Sequence, residues 1–70
     1  MKLYARKKDR TVYPNLDNGL HEILDIVGNR IKLDNSGRRY DLKDFEICDS
    51  SNVVYKKNRE FIKNLMYYSN

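Results

Sequence analysis

Between Leu20 and Cys48 the chain alternates short apolar runs with turn signals: LHEILDIV, then Gly28-Asn29, then RIKLD, then Asn35-Ser36-Gly37, then RRYDLKDFEIC. Period-two alternation bounded by Gly, Asn and Ser predicts three or four closely spaced antiparallel strands. Gly28-Asn29 is a two-residue hairpin signal. In the strand after it, Ile31 and Leu33 point one way and Arg30, Lys32 and Asp34 the other, which gives it an inside and an outside. Past the Asp34–Gly37 turn, Tyr40 and Leu42 share one face and Arg39 and Asp41 share the other. Leu42-Lys43-Asp44-Phe45 then reads as a single helical turn leading to a closing strand at Glu46-Ile47-Cys48. The alternation is imperfect from Leu20 to Val27. Leu20, Leu24 and Ile26 share a parity with Glu22, while Ile23 and Val27 lie on the other, so both faces are expected to be partly covered.

Leu3, Tyr4 and Ala5 mark an opening strand that runs into Lys7-Lys8, with Asp9-Arg10 as a turn before Thr11-Val12-Tyr13. Tyr13 to Gly19 carries Pro, Asn, Asp and Gly, residues that preset φ or bond their own backbone, and predicts a long, ordered connection. After a polar break at residues 49–52, Val53-Val54-Tyr55 fits either an added strand or the start of a helix. Asn58 is a competent N-cap, and from there the spacing turns helical, with Phe61, Leu65 and Tyr68 at i, i+4 and i+7 and Ile62 and Met66 beside them. A helix over about residues 58–68 is expected to lay that stripe on the protein's own sheet or on another molecule.

An opening strand, a long Pro/Gly loop, three strands joined by tight turns, one helical turn and a closing strand together resemble an SH3-like barrel. More narrowly, GLHEILDIVGNRIKLDNSGRRYDLKDFEI is similar to the core of short SH3-like proteins of phages and low-GC bacteria, with their Asp-x-x-Gly turn and closing Phe. The resemblance spans Lys2 to Cys48 and implies a mainly β fold: a small SH3-like antiparallel barrel over residues 1–49, followed by an extension over 50–70 that carries a C-terminal helix. It implies a binding role and no particular activity, because such barrels host many unrelated ones. Trp is absent, and with it the aromatic-rich loop that reads Pro-rich peptides, so peptide recognition of that kind is not carried over.

At 70 residues the chain is one domain, and a domain of this size buries only about 60% of the surface its unfolded form exposes. Small domains often add disulfides or a metal, but Cys48 is the single cysteine and cannot bridge internally. A reducing, cytoplasmic setting follows as the expectation. No apolar run has the length of a signal peptide or a bilayer span, so no membrane association is expected.

Charge adds a further feature. The formal net charge is +4 and the pI about 9.3, unevenly spread. Residues 1–13 carry five basic side chains against one acid, residues 14–52 five against eight, and residues 53–70 four against one. Both ends are basic and the middle is acidic. Since termini often lie close together in a compact domain, the two positive segments are expected to merge on one face.

Candidate chemistry is sparse. His21 is the sole histidine and lacks a partner at any specific spacing, and Cys48 beside Ile47 reads as a small buried core residue. One His and one Cys do not supply a metal site. Asp34-Asn35-Ser36-Gly37 lacks the remaining ligands of a calcium loop, and the glycines are too isolated to cradle a phosphate. No catalytic residue, metal or cofactor is expected.

The interleaving of cations with aromatic rings is the positive signal: Tyr4, Arg6, Lys7, Lys8, Arg10 and Tyr13 at one end, and Tyr55, Lys56, Lys57 and Arg59 at the other. Such surfaces serve protein interfaces and also single-stranded nucleic acids. Phe61, Leu65, Met66 and Tyr68 form a possible hydrophobic docking face, including one for a homodimer through the helix. The leading expectation is a non-catalytic binding protein, a phage or mobile-element accessory factor that docks on a host protein or complex and modulates or inhibits it. Nucleic-acid binding through the same basic aromatic face is the alternative. Reversing the charges of Lys7, Lys8, Lys56 and Lys57 together is expected to abolish partner binding with the fold intact, as measured by affinity and circular dichroism.

Overall fold

The computed structural model describes residues 1–56 and 58–68. Two three-stranded antiparallel sheets carry the chain. In the first, β1 (Tyr4–Lys7) lies between β2 (His21–Glu22) and β6 (Phe45–Cys48). In the second, β4 (Arg30–Lys32) lies between β3 (Asp25–Val27) and β5 (Tyr40–Asp41). A 3-10 turn (Leu42–Asp44) leads from β5 into β6, and a helix, α1 (Arg59–Tyr68), ends the described chain. The molecule is therefore mainly β with a C-terminal helix. Among the described residues no strand pairing joins the two sheets.

The irregular alternation of Leu20–Val27 has a geometric cause that differs from two covered faces. The chain bends between β2 and β3 and changes sheets: Ile23 N donates to Leu3 O at 2.9 Å in the first sheet, and Leu24 N to Lys32 O at 2.8 Å in the second. The bend lets Ile23 and Ile26 both enter the core, while Leu20, Leu24 and Val27 stay exposed. Corners of this kind let short strands serve two packed sheets. The β3–β4 hairpin pairs Val27 with Arg30 across Gly28-Asn29. Gly28 takes φ +61°, which a primed turn asks of its first residue and a Cβ would strain.

Leu3 and Ala5 point inward from β1 and are fully buried, and so is the next residue of that parity, Lys7, at 7% exposure. Its ammonium donates to the carbonyls of Val12 (3.0 Å), Tyr13 (3.0 Å) and Leu16 (2.8 Å). All three ammonium protons are thereby used. Lys7 is thus an internal clamp on the Tyr13–Gly19 connection and does not present a cation to a partner. The same clamp draws Tyr13 inward, with φ +49°. Its ring stacks on Phe45 with centroids 5.6 Å apart and meets Tyr40 edge-on at 5.0 Å. The Tyr13 hydroxyl donates to Asp44 Oδ2 at 2.7 Å, and Asn15 Nδ2 donates to the Tyr40 hydroxyl at 2.9 Å. The predicted ordered loop is ordered by side chains.

Val53–Tyr55, for which strand and helix were both open, extends the first sheet along β6. Val54 bridges Cys48, Asp49 N donates to Val53 O at 3.1 Å, and Tyr55 N donates to Ile47 O at 2.8 Å. Asn58 caps α1, its Oδ1 accepting from Phe61 N at 2.9 Å. Anchored there, the helix turns Ile62 into the core, with Leu65 and Met66 packed against it. The buried stripe is therefore one residue out of phase with Phe61–Leu65–Tyr68, and Phe61 and Tyr68 are exposed. The Tyr67 hydroxyl donates to the Asp25 carboxylate and ties the helix end to β3.

Lys7→Met keeps the stem but removes three hydrogen bonds to buried carbonyls. We expect a loss of about 2–3 kcal/mol, which for a domain of this size lowers the Tm by on the order of 10–20 °C. Thermal unfolding checks this against Lys8→Met, whose exposed side chain should cost less than about 0.5 kcal/mol.

Candidate functional site: a cationic groove

A groove of about 1030 Å³ opens between the 3-10 turn, β6 and the C-terminal segment. Its floor is formed by Leu42, Phe45, Ile47, Val54, Tyr55 and Ile62. Around them stand Lys8, Lys43, Lys56 and Arg59, together with Asp41 and Glu46. Each cation comes from a different element. Lys8 follows β1, and its N–H donates to Asp44 O at 3.0 Å, continuing the β1–β6 ladder toward the turn that carries Lys43. Lys56 follows the Val53–Tyr55 segment that runs beside β6, and Arg59 opens α1.

The two acids at the groove are already matched by arginines that do not line it. Arg6 sits directly across from Glu46 in the β1–β6 register and pairs with it at 3.2 Å. Arg30 lies across from Asp41, 4.0 Å away. Among the described residues, the side chains of Lys8, Lys43, Lys56 and Arg59 have neither an ion pair nor a hydrogen bond. The groove therefore presents positive charge beyond its formal count of four cations and two acids.

Asp49 holds the C-terminal wall. Its carboxylate accepts from Val53 N (3.1 Å), the Tyr55 hydroxyl (3.0 Å) and Ser51 N (2.8 Å). The Val53 N–H in particular lowers the Asp49 pKa. The same carboxylate, by accepting the phenol proton, raises the pKa of Tyr55.

Of the residues singled out from the sequence, the groove gathers Lys8, Tyr55, Lys56 and Arg59. Three cations of the two basic ends, Lys8 from one and Lys56 and Arg59 from the other, thus line one groove. Arg6 lies beside the groove, held by Glu46, while Tyr4 is half-buried and Arg10 exposed in the turn after β1. Lys7 is buried, Tyr13 is half-buried against the core, and Lys57 falls outside the described residues. Lys43 went unrecognised, because within one helical turn a lysine looks like any solvated charge. Its only sequence signal is its place in the turn that the opening strand runs toward.

Elsewhere, His21 Nε2 lies 3.2 Å from Asp17 Oδ1. Cys48 is buried, and burial raises its thiol pKa, the reverse of an activated nucleophile. Asp34 accepts from both Ser36 N (3.0 Å) and Ser36 Oγ (2.6 Å), as a turn-former does. Among the described residues no group of three or more His, Cys, Asp or Glu is placed to hold a metal ion, and no helix is long and apolar enough to cross a membrane. Compared with family models, curated proteins and solved structures, the chain matches none.

Asp9, Asp34 and Asp49 all have pKa values below their ordinary 3.8, each chiefly through hydrogen bonds from nearby N–H or hydroxyl groups. The unfolded chain then takes up protons first as pH falls. The stabilisation is complete above the unfolded value and is lost as pH drops through the lowered folded values. Chemical denaturation from pH 6 to pH 2 should therefore show stability falling below about pH 4. Asp49→Ala should shrink that fall and speed hydrogen exchange at the Tyr55 amide.

Proposed function

We propose that this chain is a non-catalytic binding protein of SH3-like architecture that docks on a host protein or complex through the groove and modulates it. The architecture is supported by the bend from β2 to β3 and by the 3-10 turn from β5 to β6, each of which passes the chain from one three-stranded sheet to the other. The resemblance of Gly19 to Ile47 to short phage proteins motivates its reading as an accessory factor of a phage or mobile element.

One observation carries the docking role: four exposed cations without partners among the described residues, drawn from four segments, surround a floor that includes half-buried Leu42, Val54 and Tyr55. A groove of this composition matches a protein surface of opposite charge, with electrostatics steering encounter and the apolar floor adding contact area. The Tyr13 hydroxyl on Asp44 holds the 3-10 turn and Asp49 holds the segment after β6, and a groove built from held segments binds at lower entropic cost.

Nucleic-acid binding is the second reading, favoured by the same cations and the pI of about 9.3. The eight carboxylates of residues 14–52 weigh against it.

The test replaces Lys8, Lys43, Lys56 and Arg59 by Glu, all at exposed positions. Nuclease-treated lysate of a low-GC bacterium should yield a stoichiometric protein partner with the wild-type chain and none with the reversed variant, circular dichroism being unchanged. Equal recovery by both proteins would refute the groove. Recovery of nucleic acid alone, with affinity falling log-linearly in salt, would favour the second reading.

A further inference from the structure

We infer that the groove takes an acidic peptide segment of its partner that carries leucine-like side chains among its carboxylates. This rests on the docking reading and specifies the chemistry of what is docked. Charge complementarity gives the acidic part. Glu46 pairs with Arg6 at 3.2 Å and Asp41 lies 4.0 Å from Arg30, so a ligand entering the groove meets the four cations Lys8, Lys43, Lys56 and Arg59 against two acids that have arginines of their own beside them.

The apolar part comes from the floor. Leu42 and Val54 are half-buried, so each retains surface that a ligand's apolar side chain removes from water. A phosphate polymer gains little from such a floor, whereas a peptide carrying leucines between acids satisfies both parts at once. The cations come from the 3-10 turn, α1 and the segments after β1 and before α1, and line the groove together with the apolar residues.

The probe is a fluorescein-labelled octapeptide of three glutamates, two leucines and three glutamates, followed by fluorescence anisotropy. Octaglutamate and an eight-nucleotide oligothymidine serve as comparisons. The leucine peptide should bind the wild-type chain about tenfold or more tighter than octaglutamate, the amount expected for burying one or two apolar side chains. It should weaken as salt shortens the Debye length, shift the amide resonances of Lys43, Val54 and Tyr55, and fail to bind the charge-reversed variant. Equal affinity for octaglutamate or oligothymidine would overturn the peptide assignment, because the floor would then not be read. No peptide binding, with a protein partner still captured in a charge-dependent way, would overturn the assignment and leave docking intact. Binding that survives charge reversal would overturn both.

Discussion

The ammonium of Lys7 is enclosed at an inward strand position, where an apolar side chain would ordinarily stand, and is held by three carbonyls of the following loop. Burying a cation is costly unless its donors are satisfied. Here the backbone of residues 12–16 supplies every acceptor, so the loop cannot leave without stranding the charge. Once the loop is fixed, Tyr13 has one place to go. Its ring completes a three-ring cluster with Tyr40 and Phe45, and its hydroxyl reaches the 3-10 turn at Asp44. One lysine thereby links the opening strand, the long connection and the turn that leads into the closing strand.

That linkage suits a chain with one cysteine and little interior. Its core of Leu3, Ala5, Ile23, Ile26, Ile31, Tyr40, Phe45 and Ile47 is drawn from both sheets, and Ile62 from the helix completes it. A domain of this size has a narrow stability margin. Side chains that hold loops by buried polar contacts therefore carry a larger share than they would in a bigger protein. The phenol of Tyr13 makes this visible. Its bond to Asp44 raises its pKa, so the neutral hydroxyl is the form the fold selects. This contribution is present below the unfolded pKa and is lost as pH rises through the folded one.

The Tyr13–Asp44 bond holds the 3-10 turn at the groove, and strand register sets which cations stand beside its acids. Pairing in β1–β6 sets Arg6 opposite Glu46, and pairing in β4–β5 sets Arg30 opposite Asp41. Exposed pairs of this kind contribute little to stability. Their consequence is electrostatic: the acids at the groove are matched from outside, and the cations around it remain unmatched.

Local signals written in the chain determined the Gly28-Asn29 hairpin, the single turn at Leu42–Asp44 and the Asn58 cap, because alternation, turn residues and capping act over a few positions. Parity already placed Lys7 with Leu3 and Ala5, although its positive charge argued for the surface. Only tertiary structure decided that the loop would supply carbonyls to bury it, that the chain would change sheets at Ile23-Leu24, and that Val53–Tyr55 would pair with β6. The same holds for the helix, where the anchoring of its start put Ile62 inward in place of Phe61, and for Lys43, which joins the groove through contacts between segments distant in sequence. Each of these outcomes depends on which long-range partner satisfies a donor or fills a volume, and no pattern along a single strand or helix specifies that partner.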